Sequence, residues 1–160
     1  MVAYRMENST DDLPGVLAHP PLIYLLFMAA GALTQNLFPL AVEIPGHRLV
    51  GILLTTAGFS LSSWSILQFF THRVNPDPFT PTEAIITTGP FALTRNPIYL
   101  AFAMLQIGMG VWSEWIWIAI MAVPATAVIF FGVIVREERY LEAKFGDEYR
   151  AYCSRVRRWL

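Results

Sequence analysis

The sequence predicts an all-α polytopic membrane protein of about four transmembrane helices, with a tight helical hairpin for the last two and an amphipathic helix at the C-terminus. Two observations carry that prediction. Of the 160 residues, 55% are hydrophobic and 14% charged, and mean hydropathy is +0.48, which is unusual for a soluble domain of this length. The apolar residues are also gathered into runs. Crossing about 30 Å of hydrocarbon takes roughly 20 residues. Residues 21–40, 49–70 and 115–135 meet that length, and the shorter run 98–112 supplies the remaining span.

The length suits one domain: a cytoplasmic N-terminal segment at 1–20, the first two spans at 21–70, a loop and helical hairpin at 71–146, and an interfacial helix at 147–160. Glu7, Asp11 and Asp12 precede the first run, whereas a secretory signal begins basic and has a shorter apolar core, so the first span is expected to be retained. Only Ser113 and Glu114 separate the last two spans, which predicts a tight antiparallel hairpin. Trp112, Trp115 and Trp117 put its turn at a membrane interface. Four crossings return both termini to the side of loop 71–94. That side carries Arg5, Arg73, Arg95, Arg136, Arg139, Lys144, Arg150, Arg155, Arg157 and Arg158, against Arg48 on the other, which predicts a cytoplasmic location.

Beyond the fourth span a helix is predicted to run to a stop at Gly146 and restart with Asp147 as N-cap. Tyr149, Tyr152, Val156 and Trp159 then recur every three or four residues, with basic residues between them. That is the pattern of a helix lying on anionic lipid headgroups; docking on the protein's own cytoplasmic face fits it equally well.

The chemistry concentrates in "TTGPFALTRNPIYL", residues 87–100, and in the pair Glu137-Glu138. Asn96 and Pro97 read as a helix start, whose free N–H groups beside Arg95 suit an anion. A cap with a snorkelling arginine accounts for the same residues. The hairpin returns Glu137 and Glu138 to the depth of Arg95 and Asn96. Acidic residues at a membrane boundary are costly unless hydrated, paired or used, so they form either a site or an ion pair with Arg95 or Arg136. Gly89 before Pro90 suggests an extended backbone, from Thr88 onward, able to lie close to a ligand. Such a ligand would offer an anionic group, a cationic or hydroxyl group, and a flat apolar part for Phe91, Tyr99 and Tyr140. An amino-acid nucleoside fits; an adenine dinucleotide calls for a glycine-rich phosphate cradle. Nucleic-acid binding and nucleophilic triads find no support. Lone Cys153 and the scattered His19, His47 and His72 form no metal set, and Gly108 and Gly110 read as close helix packing.

Arg95, Asn96, Pro97 and Tyr99, then a hydrophobic stretch, then Glu137-Glu138 and the tail of Phe145, Gly146, Glu148, Tyr149 and Tyr152, resemble one family. It is that of the integral-membrane methyltransferases related to isoprenylcysteine carboxyl methyltransferase and the phospholipid N-methyltransferases. The resemblance covers about the last half of the chain. It implies S-adenosylmethionine as cofactor, held by the loop and hairpin at 71–146. By position, Arg95, Asn96 and Tyr99 line the pocket, with Thr88, Gly89, Pro90 and Phe91 along it, and Glu137 and Glu138 bind the cofactor's ammonium or ribose. The implied acceptor is a lipophilic small molecule entering from the bilayer, where membrane lipids are the other partners. Asn96 stands for the histidine of the isoprenylcysteine enzymes, and Ala101 for a glycine, which would narrow the pocket. No catalytic base is identified. Two rivals are an NADPH-dependent membrane reductase of the sterol-reductase type and a non-enzymatic helical membrane adaptor.

Overall fold

The computed structural model describes residues 13–43 and 45–160; Arg5, Glu7, Asp11 and Asp12, on which the N-terminal expectations rest, lie outside them. The described regular structure is all helical. In chain order it comprises α1 (Pro20–Leu37), α2 (His47–His72), a 3-10 turn (Gly89–Ala92), α3 (Pro97–Trp112), α4 (Ile116–Ile120), α5 (Ala122–Ile129), a π-helical segment (Phe130–Ile134), α6 (Val135–Phe145) and α7 (Asp147–Arg155).

Among the described residues, two helices are long and apolar enough to cross a membrane: α2, and the 30-residue rod Ile116–Phe145 that contains α4 to α6. α3 is a shorter apolar helix. α1 opens on Pro20-Pro21 and carries Gln35 and Asn36 in its last turn, which dilutes its apolar run.

α3 packs most extensively on α2. The contact is close because small residues face each other. A Cβ at Gly108 would lie 2.7 Å from the Thr55 amide nitrogen and 3.0 Å from the Gly51 carbonyl, and one at Gly58 would lie 2.9 Å from the Ala101 carbonyl. Backbone on backbone leaves no slack for a side chain, so Gly108 is a packing residue, as its place in an apolar run suggests. α1 lies on α4 and α5, and its Tyr24 hydroxyl donates to the Tyr99 carbonyl at 3.2 Å. Ile23, Tyr24, Ala125, Ile129, Val133 and Ile134 form the core between these helices, with Val16 added from the segment before α1.

Three local expectations change. Asn96 does occupy the N-cap of α3, and its carbonyl accepts the first helical bond, from Leu100 at 3.0 Å. Its side chain, however, caps nothing; its Nδ2 donates to the Arg158 carbonyl at 3.0 Å. Gly146 stops α6 with φ of 53° and also takes the N-cap of α7, so Asp147 is the first helical residue, and its carboxylate accepts from Arg150 instead. The backbone at Gly89 is a 3-10 turn with φ of 60°, not an extended strand. α7 ends at Arg155, and residues 156–160 leave the helix to cross the start of α3.

Candidate functional site

The approach to α3 is a buried polar segment. The Thr94 hydroxyl accepts the Asn96 N–H at 3.2 Å and donates to the Arg158 carbonyl at 3.0 Å, while the Arg95 N–H donates to the Arg157 carbonyl at 3.0 Å. The tail is thereby tied to the helix start. From the other side the π-helical segment leads into α6, whose first turn carries Glu137 and Glu138.

Neighbouring positions on a helix point roughly 100° apart, and the two glutamates meet different partners. Glu137 receives the Tyr99 hydroxyl, at 2.8 Å from each carboxylate oxygen. Glu138 receives a two-pronged contact from Arg158, Nε to Oε1 at 2.9 Å and Nη2 to Oε2 at 2.6 Å, with Arg95 Nη1 at 3.2 Å. The Arg158 guanidinium also stands over the Phe130 ring, 5.2 Å from its centroid. Arg95 Nη1 donates to Cys153 Sγ at 2.7 Å, while its buried Nε has no hydrogen-bond partner among the described residues. Arg136, weighed from the sequence as a partner for the glutamates, donates to the Gly15 carbonyl at 2.8 Å.

Arg95, Tyr99, Glu137 and Glu138 border a cavity of about 450 Å³, within the roughly 300–1,000 Å³ of small-molecule sites. Of the residues expected at a ligand, Phe91, Arg95, Asn96, Tyr99, Glu137, Glu138 and Tyr140 line it. Thr88, Gly89 and Pro90 do not. The Thr88 hydroxyl donates to Gln68 Oε1 at 3.0 Å and Gly89 turns against the Gln68 side chain, so this stretch fastens the loop to the end of α2. Ala101 is fully buried where α2 and α3 touch and is not on the cavity wall, so the expected narrowing does not arise there. The Tyr140 hydroxyl accepts the Thr82 N–H at 3.1 Å and the Lys144 ammonium at 2.9 Å. Of the histidines, His19 is on the cavity wall, His47 lies 2.7 Å from Glu114, and His72 bonds the Gln68 carbonyl.

Tyr149 and Tyr152 of the C-terminal stripe are buried and face the same cavity, and the Tyr152 hydroxyl donates to the Phe91 carbonyl at 2.7 Å. The stripe therefore docks on the protein itself. Burial pushes the Tyr152 hydroxyl up to about 12, and burial followed by the negative charge of Glu138 pushes Tyr149 up as well, so both stay neutral. Arg158, named from the sequence only as a charge on the cytoplasmic side, is absent from the residues expected at the ligand. A signal for it existed: two carboxylates at a membrane boundary need more positive charge than Arg95 alone supplies.

The family model for "Phospholipid methyltransferase" matches residues 47–148, which span the α2 and α3 packing and both glutamates. The chain belongs to the phospholipid methyltransferase family. Among curated relatives, an uncharacterized protein of Haemophilus influenzae is 40% identical over 65 residues, 39% of this chain and 100% of its own length. The cobalt-zinc-cadmium resistance protein CzcN of Cupriavidus metallidurans is 26% identical over 108 residues, 68% of this chain. The nickel-cobalt-cadmium resistance protein NccN of Alcaligenes xylosoxydans xylosoxydans is 31% identical over 72 residues, 45% of this chain. The chain matches only 44% and 33% of the length of those two. No solved structure matches it significantly. As a phospholipid methyltransferase family member it is a membrane methyltransferase in general terms, and its two long apolar helices fit an integral membrane protein.

Proposed function

We propose that the protein transfers a methyl group from S-adenosylmethionine to a lipophilic or membrane-associated small acceptor, such as an isoprenylcysteine-like carboxylate or a phospholipid amine. The observation that supports this most is the single cavity shared by Arg95, Asn96 and Tyr99 with Glu137 and Glu138, groups that are 38 positions apart between Tyr99 and Glu137. Their chemistry fits the donor. The spare buried N–H of Arg95 suits its carboxylate, the glutamates suit its ammonium or ribose hydroxyls, and Phe91, Tyr99 and Tyr140 offer aromatic surface for its base.

When bound, that donor supplies a methyl group activated by a positive sulfur. The chain's part is to hold the methyl in line with the acceptor and to keep water away. A carboxylate acceptor arrives with its lone pair free, whereas an ammonium must first give up a proton. Apolar residues that also line the cavity, Ile66, Phe69, Ile85 and Ile86, suit a lipophilic acceptor entering from the bilayer. We read α1 and α3 as further crossings, with a hairpin between α3 and α4, and both chain ends as cytoplasmic. The charge bias supports this orientation: with these crossings Arg73, Arg95, Arg136, Arg139, Lys144, Arg150, Arg155, Arg157 and Arg158 fall on one side, against Arg48 on the other.

Thermal shift of the detergent-purified protein tests the reading. S-adenosylhomocysteine is expected to raise its melting temperature and NADPH to leave it unchanged. Glu137→Gln, which leaves the Arg158 contact with Glu138 in place, should weaken S-adenosylhomocysteine binding by roughly tenfold in calorimetry, the loss of about 1.5 kcal/mol of contact. Stabilisation by NADPH alone, or unchanged affinity in the variant, overturns it.

A further inference from the structure

We infer that the Arg158 side chain is a latch on Glu138, a resident counter-ion that the cationic end of the ligand displaces. The inference rests on the methyl-donor reading above. In the structure both oxygens of Glu138 are already taken by the Arg158 fork, and Arg95 stands at 3.2 Å, so one carboxylate faces two guanidinium groups. Hydrogen bonding to Glu138 raises the pKa of Arg158 above its ordinary value, which keeps it charged. A third cation reaching Glu138 meets repulsion unless one of the two withdraws.

Arg158 is the one free to leave. Its side chain is 37% exposed, against 15% for Arg95 and 17% for Glu138. Arg95 is further held by Cys153, and its N–H is part of the helix approach. The backbone beyond α7 stays in place, held by Arg95 N–H to the Arg157 carbonyl, by the Thr94 hydroxyl and Asn96 Nδ2 to the Arg158 carbonyl, and by Trp159 against the core, so the moving part is the Arg158 side chain.

Partner exchange also solves an electrostatic problem. A mostly buried carboxylate left without a cation is strongly destabilising. Arg158 neutralises Glu138 in the empty cavity, swings into water as the ligand cation arrives, and returns when it leaves. The closed latch therefore lowers apparent affinity by the fraction of molecules that are open.

Calorimetry with S-adenosylhomocysteine on the full chain tests this. If Arg158 holds the latch closed about 90% of the time, Arg158→Gln binds roughly tenfold tighter than the unmodified protein. Arg158→Lys, which keeps the charge but loses the fork, falls between, and it carries the test if the glutamine variant is not recovered folded. In a Glu138→Gln background, Arg158→Gln should change nothing, which separates the latch from a general effect of surface charge. Binding by the unmodified protein with equal or weaker binding by both Arg158 variants overturns the latch and leaves the cofactor reading standing. No binding by the unmodified protein overturns both.

Discussion

Roughly two and a half turns of α3 separate Tyr99 from Gly108, and the two ends of that stretch are built on opposite rules. At Gly108 the helix touches α2 backbone to backbone, with Thr55 and Gly51 within 3.0 Å of a Cβ that is absent. At Tyr99 side chains hold the elements apart: Tyr99, Arg95 and two glutamates line a 450 Å³ space, with Arg158 paired to Glu138. Small residues bring backbones together and leave no room for a ligand. Charged residues cannot close up in that way, because each must keep its partners, and the space between them is what a ligand can enter.

The comparison can be broken from either side. Gly108→Leu should have the largest effect, at the upper end of the ~1–3 kcal/mol cost of overpacking, because the atoms it meets are backbone and cannot give way. The expected result is the greatest loss of melting temperature in detergent, with Gly108→Ala milder; a wild-type melting curve for Gly108→Leu would show the seam to be looser than described. Tyr99→Phe comes next. It removes the hydroxyl that serves both oxygens of Glu137, leaving a buried acceptor unsatisfied at a cost of about 1–3 kcal/mol. Combining it with Glu137→Gln should cost less than the sum of the two single changes, and strict additivity in that cycle would mean the pair is not coupled.

The smallest effect is alkaline. Because the Tyr152 hydroxyl ionises at about 12 in the folded protein against 10.0 ordinarily, the folded state holds that proton longer than the unfolded one. Its contribution to stability is complete below pH 10 and is lost between pH 10 and pH 12. Chemical unfolding across that range should show the decline, reduced in Tyr152→Phe; an equal decline in the variant would assign it elsewhere.

Much of this was legible because it depends on neighbours along the chain. The length and apolarity of α2 and of Ile116–Phe145, the proline that opens α3 and the glycine that stops α6 are local properties, set by propensity and by how far an apolar run extends. Seven of the ten residues expected at a ligand reach the cavity for the same reason, since they sit at the ends of helices whose lengths the sequence fixes within a turn.

What local pattern could not decide was which side chain meets which. Thr88, Gly89 and Pro90 read as ligand-facing, yet the end of α2 claims them through Gln68. Asn96 read as a cap and became a donor to the tail, and Arg158 read as a surface charge and became the partner of Glu138. The sequence by itself determined an all-helical membrane methyltransferase family chain with its polar clusters at helix ends. Only the tertiary structure decided that residues 156–160 fold back across α3, because that path depends on hydrogen bonds between residues more than sixty positions apart, Thr94 and Arg158 among them, which no local spacing encodes.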